Sequence, residues 1–223
     1  MDLKLLCNRL GYNFKQLALL RQALTHRSYG VPHNERLEFL GDSVLSLAIS
    51  TKLFQDFPQL SEGELSRSRA HFVREQTLHG IAQSLDLGKY LLLGEGELKS
   101  GGAQRPSILA DALEAIMGAV YLDNGFAEAE HVIHNLYQPL LAQLDPRHVG
   151  KDPKTQLQEF LQAKRIPLPQ YVIVKTTGEA HEQRFRVECR IPDLSITTHG
   201  EGTSKRNAEQ EAARSAYELA SKI

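Results

Sequence analysis

The sequence predicts two folds in series: an all-α domain over residues 1–148, then an α+β domain of order α-β-β-β-α over residues 154–223, with residues 149–153 as a linker. Three observations predict this. Apolar side chains before the joint recur at helical spacing with no strand alternation. At residues 145–153, two prolines and a glycine interrupt any regular pattern. Beyond the joint, residues 183–191 alternate cleanly, with Phe185, Val187, Cys189 and Ile191 on one side and Arg184, Arg186, Glu188 and Arg190 on the other.

Residues 14–23 open the helical part, with Phe14, Leu17, Ala18 and Leu20 spaced for one face and Leu24 just beyond. The stretch NERLEFLGDSVL at residues 34–45 begins a helix that runs to residue 57 and stops before Pro58. Leu37, Leu40, Val44, Leu45, Leu47, Ala48 and Ile49 cover most of its circumference, which is the pattern of a buried helix. Residues 62–85 form one long, charged, amphipathic segment with few breakers. GEGELKSGG at residues 94–102 is a glycine-rich loop. It lacks a Lys-Ser/Thr ending and a preceding strand, so it is no nucleotide P-loop. SILADALEAIMGAVYLD at residues 107–123 gives a further helix, and residues 127–144 another.

After the joint, residues 154–163 are a short helix with Leu157, Phe160 and Leu161 inward. Residues 171–177 are β-rich, residues 178–181 turn the chain, and residues 195–199 make a third strand that Gly200 and Gly202 end. Residues 204–221 form a helix with an inward stripe of Ala208, Ala212, Ala216, Leu219 and Ala220. Two helices on one face of a small sheet give the predicted architecture.

A chain of 223 residues, 41% apolar, can build two real cores. No run is long enough to span a membrane, and MDLKLLCNRL lacks a signal-peptide core. Cys7 and Cys189 lie far apart and read as small buried hydrophobes in a reducing compartment, so a cytoplasmic location is expected. The net charge of −1 divides unevenly: residues 151–223 carry 12 Lys+Arg against 10 Asp+Glu, and the first 150 carry 14 against 17. That difference alone does not indicate nucleic acid.

Chemistry enters with two acidic pairs. Glu38 and Asp42 stand at i, i+4, and Asp111 and Glu114 at i, i+3 with Ala115, Gly118 and Leu122 on their face. Such pairs usually decorate a solvated surface. Here their surroundings are apolar, like charges at that spacing repel, and neither face offers a cation. Four carboxylates supply the hard oxygen ligands that magnesium or manganese prefers. Lys205 and Arg206 sit where the last helix begins, against its dipole, and read as a phosphate clamp.

The residues just quoted carry a resemblance. NERLEFLGDSVL, SILADALEAIMGAVYLD and LGYNFKQLALLRQALTHRS are similar to the signature, second acidic motif and N-terminal segment of bacterial ribonuclease III. The tail from about Asp152, ending GEGTSKRNAEQEAARSAYELA, resembles a double-stranded RNA-binding domain, departing from it at Glu179, where many carry proline. The resemblance implies a homodimeric endonuclease that hydrolyses double-stranded RNA with magnesium, manganese substituting, and leaves 5′-phosphate and 3′-hydroxyl ends. It implies processing of ribosomal RNA precursors and some messengers, with no membrane and no organic cofactor. Glu38, Asp111 and Glu114 become metal ligands; Glu114 and Asp42 are the catalytic residues, Asp42 completing the cluster through water. Phe39 becomes the residue that packs into the other subunit. Thr155, Gln158, Glu159, His181, Lys205 and Arg206 become RNA contacts, reading duplex shape across the grooves. Glu35 falls near the RNA-facing edge, and His26 reads as structural rather than as a base. The alternative function is a non-cleaving double-stranded RNA-binding regulator on the same fold.

Overall fold

The computed structural model describes residues 3–142, 153–178 and 183–222. Its contacts divide the chain into two units, Met1–Gly150 and Lys151–Ile223. The first is helical: α1 (Leu3–Leu10), α2 (Leu17–Ala23), α3 (Glu35–Asp56), α4 (Glu62–Val73), α5 (Glu75–Ser84), α6 (Glu95–Lys99) and α7 (Pro106–Leu141). α3 and α7 are its spine. They touch backbone to backbone through two glycines: a Cβ on Gly41 would lie 1.8 Å from the Glu114 carbonyl oxygen, and one on Gly118 would lie 2.3 Å from that of Leu37. No larger residue fits at either position, and this close approach sets what the two helices can bring together.

The buried set around the spine includes Leu37, Val44, Leu45, Ala48, Ile49, Leu113, Ile116, Met117, Val120 and Tyr137. α3 is not buried all round, however. Phe39 is 80% exposed, Phe54 73% and Leu47 54%, so one apolar flank of this helix faces outward. Leu122 is likewise half exposed rather than sharing the inner face of its helix.

Breaks fall where backbone chemistry allows them. Residues 62–85 are two helices, because Arg74 adopts an extended conformation (φ −71°, ψ 152°) that ends α4 and starts α5. Ser61 and Glu64 form a capping box at the start of α4. α7 breaks at Asn124 and Gly125, where Gly125 takes φ 80°. Just before the break, the Asp123 carboxylate accepts the Tyr12 hydroxyl at 2.7 Å and the Lys15 and Gln16 amides at 2.8 and 2.9 Å. Phe14 therefore lies in the loop before α2, edge-on to Tyr12, while Leu17 and Ala18 are exposed. The glycine-rich stretch contains α6 instead of being loop throughout.

The second unit runs α8 (Pro153–Ala163), β1 (Gln170–Thr177), β2 (Arg184–Ile191), β3 (Ile196–Gly202) and α9 (Lys205–Ala220). The strands form an antiparallel sheet in the order β1-β2-β3. Leu157, Leu161, Cys189, Ile191, Ile196, Ala212, Ala213, Ala216 and Ala220 form its core. Gly200 and Gly202 do not end β3; they belong to it, pairing with Val187 and Phe185. A Cβ on Gly200 would meet the Ala208 carbonyl oxygen and the Ala212 nitrogen at 2.3 Å, so glycine here lets α9 lie directly on the strand. Leu219 points away, 47% exposed, and Ala213 takes its place in the stripe. Cys7 and Cys189 are both buried and unbridged, one in each unit.

Candidate active site

Glu38 projects from the first turn of α3, and Asp111 and Glu114 from the second and third turns of α7. The glycine contact at Gly41 and Gly118 lies one turn along each helix from these acids, so the carboxylates meet where the backbones are closest. Each offers an oxygen, and the three oxygens lie within 4.8 Å of one another. All three side chains are half-buried. Asp42 is exposed and stands outside that group of three, yet its charge acts on both Glu38 and Glu114.

The electrostatics follow from burial and crowding. Burial first, then the charges of Asp42, Asp111 and Glu38, push the Glu114 carboxyl up to about 8. Glu38 is raised by burial and by Asp111, Glu35 and Asp42. Asp111 is raised by burial and by Glu75, against the opposing pull of His26 and Arg27. Among the described residues no Lys or Arg forms an ion pair with Glu38, Asp42, Asp111 or Glu114. Three crowded carboxylates that resist ionisation fit a divalent cation of oxygen preference, which would hold them ionised and together. When bound, such an ion polarises a phosphate and activates water.

A cavity of about 450 Å³ opens beside the cluster, lined by Glu38 and Asp111 together with His26, Arg27, Asn34, Glu35, Glu97 and Arg105. His26 Nδ1 lies 2.8 Å from the Ser28 hydroxyl, and its ring lines the cavity without forming part of the acid cluster. Glu35 pairs with Arg27 at 3.3 Å and lies 3.8 Å from His33. Glu75, at the start of α5, carried no sequence signal, because only packing of α5 against α7 brings its charge to bear on Asp111. Arg105 was also missed, standing in an unremarkable position before Pro106.

The other singled-out residues lie elsewhere. Phe39 is on the exposed flank of α3. Thr155, Gln158 and Glu159 are exposed on α8, and Lys205 and Arg206 on the first turn of α9. Ser204 caps that helix, its hydroxyl accepting the Asn207 amide at 3.1 Å, and Lys205 lies 3.9 Å from Glu209. His181 and Glu179 lie outside the described residues.

Comparison with known proteins gives a consistent result. A family described as Ribonuclease-III-like matches residues 16–140, and the double-stranded RNA binding motif matches residues 153–219. The chain is 60% identical to Ribonuclease 3 of Nitrosomonas europaea over 219 residues, 98% of this chain and 89% of that protein. It is 57% identical to Ribonuclease 3 of Cupriavidus pinatubonensis over 223 residues, 100% of this chain and 87% of that one. The crystal structure of the nuclease domain of ribonuclease III from Campylobacter jejuni superposes with a TM-score of 0.62 at 44% identity, covering 65% of this chain and 99% of that chain. A second structure of that domain, described for flexibility in a region involved in dimer formation, gives 0.61 at 45% identity, covering 62% and 97%.

Proposed function

This chain belongs to the ribonuclease III family and is an endoribonuclease of double-stranded RNA, and from that premise we propose how its own residues divide the work. Family membership decides for the enzyme over the non-cleaving binder. We assign residues 1–148 to catalysis, 149–153 to a linker and 154–223 to duplex binding.

The observation that carries the catalytic assignment is the meeting of Glu38, Asp111 and Glu114 within 4.8 Å. These three would hold the divalent ion that the family implies, magnesium in our reading, with manganese able to replace it. Asp42, exposed at the edge of the cluster, orients the attacking water. Hydrolysis adds the water oxygen to phosphorus, breaks the bond to the 3′-oxygen and delivers a proton to it, leaving 5′-phosphate and 3′-hydroxyl ends. Glu114 resists ionisation by itself, and a bound cation would favour its ionised form.

Phe39 supports a homodimer. An aromatic 80% exposed, on a flank shared with Leu47 and Phe54, is a surface that a second copy would cover. A two-fold dimer would set two clusters across one duplex, one for each strand. Thr155, Gln158 and Glu159 on α8 and Lys205 and Arg206 on α9 offer polar groups to 2′-hydroxyls and phosphates, and His181 completes this set by resemblance. Processing of ribosomal RNA precursors and messengers in the cytoplasm is the biological setting we infer. Among the described residues, no helix is long and apolar enough to cross a membrane.

The test is cleavage of a long, end-labelled RNA duplex by chelator-treated protein. Magnesium or manganese should restore cutting and release 5′-phosphorylated products. Metal-independent cutting would refute the assignment.

A further inference from the structure

The glycine-rich stretch GEGELKSGG, which no nucleotide-binding role explains, borders the carboxylate cavity and contributes Glu97 to it, with Arg105 just beyond its end. It is stitched to the segment after α2: the His26 amide donates to the Leu92 carbonyl at 3.0 Å, and the Leu92 amide to that of Leu24 at 2.8 Å. The Gly94 amide donates to the Ser28 hydroxyl at 3.0 Å, and a Cβ on Gly94 would come within 2.3 Å of the Ser28 carbonyl oxygen. These two segments deliver Arg27 and Arg105 to one cavity, which Glu38 and Asp111 also line.

Both arginines are held by carboxylates. Arg27 pairs with Glu35 at 3.3 Å. Arg105 pairs with Glu97 at 2.6 Å and donates to the Ser100 hydroxyl at 3.2 Å. Glu97 is itself fixed: the Ser100 hydroxyl donates to it at 3.2 Å, and its side chain occupies the space a Cβ on Gly102 would need, 2.7 Å away. The Arg105 guanidinium, fixed in this way, loses little freedom when it meets a phosphate, while Arg27 is the more exposed and more loosely held of the two. A polyanion approaching the clustered acids is repelled, and the guanidinium N–H groups left over from these pairs are the donors on the rim that can meet its phosphates.

We propose that Arg27 and Arg105 are positioning residues that grip backbone phosphates of the RNA strand beside the scissile one, Glu35 and Glu97 aiming their guanidinium groups. The proposal rests on the carboxylate cluster being the cleavage centre. The glycine loop is then a structural bracket for substrate alignment, with Gly94 and Gly102 there for close packing.

The test uses the full chain and a short RNA duplex. Binding is measured against salt in magnesium, with Glu114→Gln as the background so that cutting does not deplete the duplex. KM and kcat are measured with Glu114 intact. Replacing Arg27 and Arg105 together by Gln should flatten the slope of log affinity against log salt by about one per arginine. It should raise KM about tenfold while kcat stays within about twofold, as for contacts kept from ground state to transition state. Arg105→Lys, which keeps the charge, should restore most of its share of the slope. Wild-type slope and KM in the double variant, with Glu114→Gln inactive, overturn this proposal alone. A lowered melting temperature with an unchanged slope makes the arginines structural and also overturns it. Glu114→Gln cutting at the wild-type rate overturns the cluster as the cleavage centre, and the proposal with it.

Discussion

The two units handle charge in opposite ways. In the nuclease unit, Glu38, Asp111 and Glu114 are packed together, half-buried and, among the described residues, without an ion pair to Lys or Arg, so that Glu38 and Asp111 sit above their ordinary pKa and Glu114 rises to about 8. In the RNA-binding unit the charges are dispersed and matched locally, as with Arg190 and Glu188 at 2.6 Å, Lys154 and Glu209 at 2.8 Å, and Arg186 and Glu201 at 3.8 Å. Concentrated charge in a low-dielectric setting stores repulsion that one ion can relieve. Dispersed surface charge stores little, contributes through many weak contacts and is screened by salt. The first unit should therefore answer to metal and pH, and the second to ionic strength.

The largest effect expected from that contrast is at Glu114. Glu114→Gln keeps the shape but removes the charged oxygen we assign to the metal, so cleavage at limiting magnesium should fall by well over about a hundredfold, more than the loss of an outer-shell partner typically costs. Duplex affinity should hold, because the other unit supplies much of it. Single-turnover cutting alongside a filter-binding isotherm measures both.

Next comes the contact that gathers the acids. Gly41→Ala would press a methyl group into the Glu114 carbonyl, 1.8 Å away, and force α3 and α7 apart. Overpacking of this kind costs about 3 kcal/mol, on the order of 10 °C in melting temperature for a unit this size. Cleavage should be lost at temperatures where circular dichroism still reports a folded chain. Full activity with a normal melt would show that the cluster does not depend on this crossing.

The pH response is smaller and has a definite sign. Glu114 titrates near its ordinary 4.5 when unfolded and near about 8 in the fold, so the native state favours its protonated form. Without divalent ions, its contribution to stability is full below about pH 4.5 and disappears as pH rises through about 8. Melting temperature in chelator should fall across that window, and Glu114→Gln should flatten the fall. Added magnesium or manganese should stabilise more as pH rises, since the ion competes with a proton. A metal effect independent of pH would break the link between burial and metal binding.

The smallest effect belongs to the other unit. Lys205→Ala with Arg206→Ala should weaken every duplex about equally, roughly tenfold at physiological salt, and reduce the salt slope by about two, with no change in the pH profile of the melt. A change confined to one duplex sequence would mean that these side chains read bases.

Much of this was legible from local pattern. The alternation of β2, the helical runs and the acid spacings depend only on neighbours in the chain, and the structure repeats them. Misreadings arose where a residue's meaning depends on something far away in sequence. Gly200 and Gly202 look like strand breakers, yet they are β3 residues because α9 lies against them. Leu47 looks like core by periodicity, yet it stands on an outward flank. Arg74 carries no breaker signal, yet it separates two helices.

The sequence by itself determined that Glu38 and Asp42 share a helix face and that Asp111 and Glu114 share another, because a 3.6-residue period is a property of the local backbone. Which of the four converge was decided only by the crossing of α3 and α7. That crossing brings Glu38 to Asp111 and Glu114 and leaves Asp42 exposed at the edge, while the packing of α5 on α7 and the bonds between the segments after α2 and before α6 place Glu75 and Arg27 around them. Helical period fixes direction around an axis, but the distance between two axes is set by the bulk between them, and here two glycines more than seventy positions apart reduce it to backbone contact.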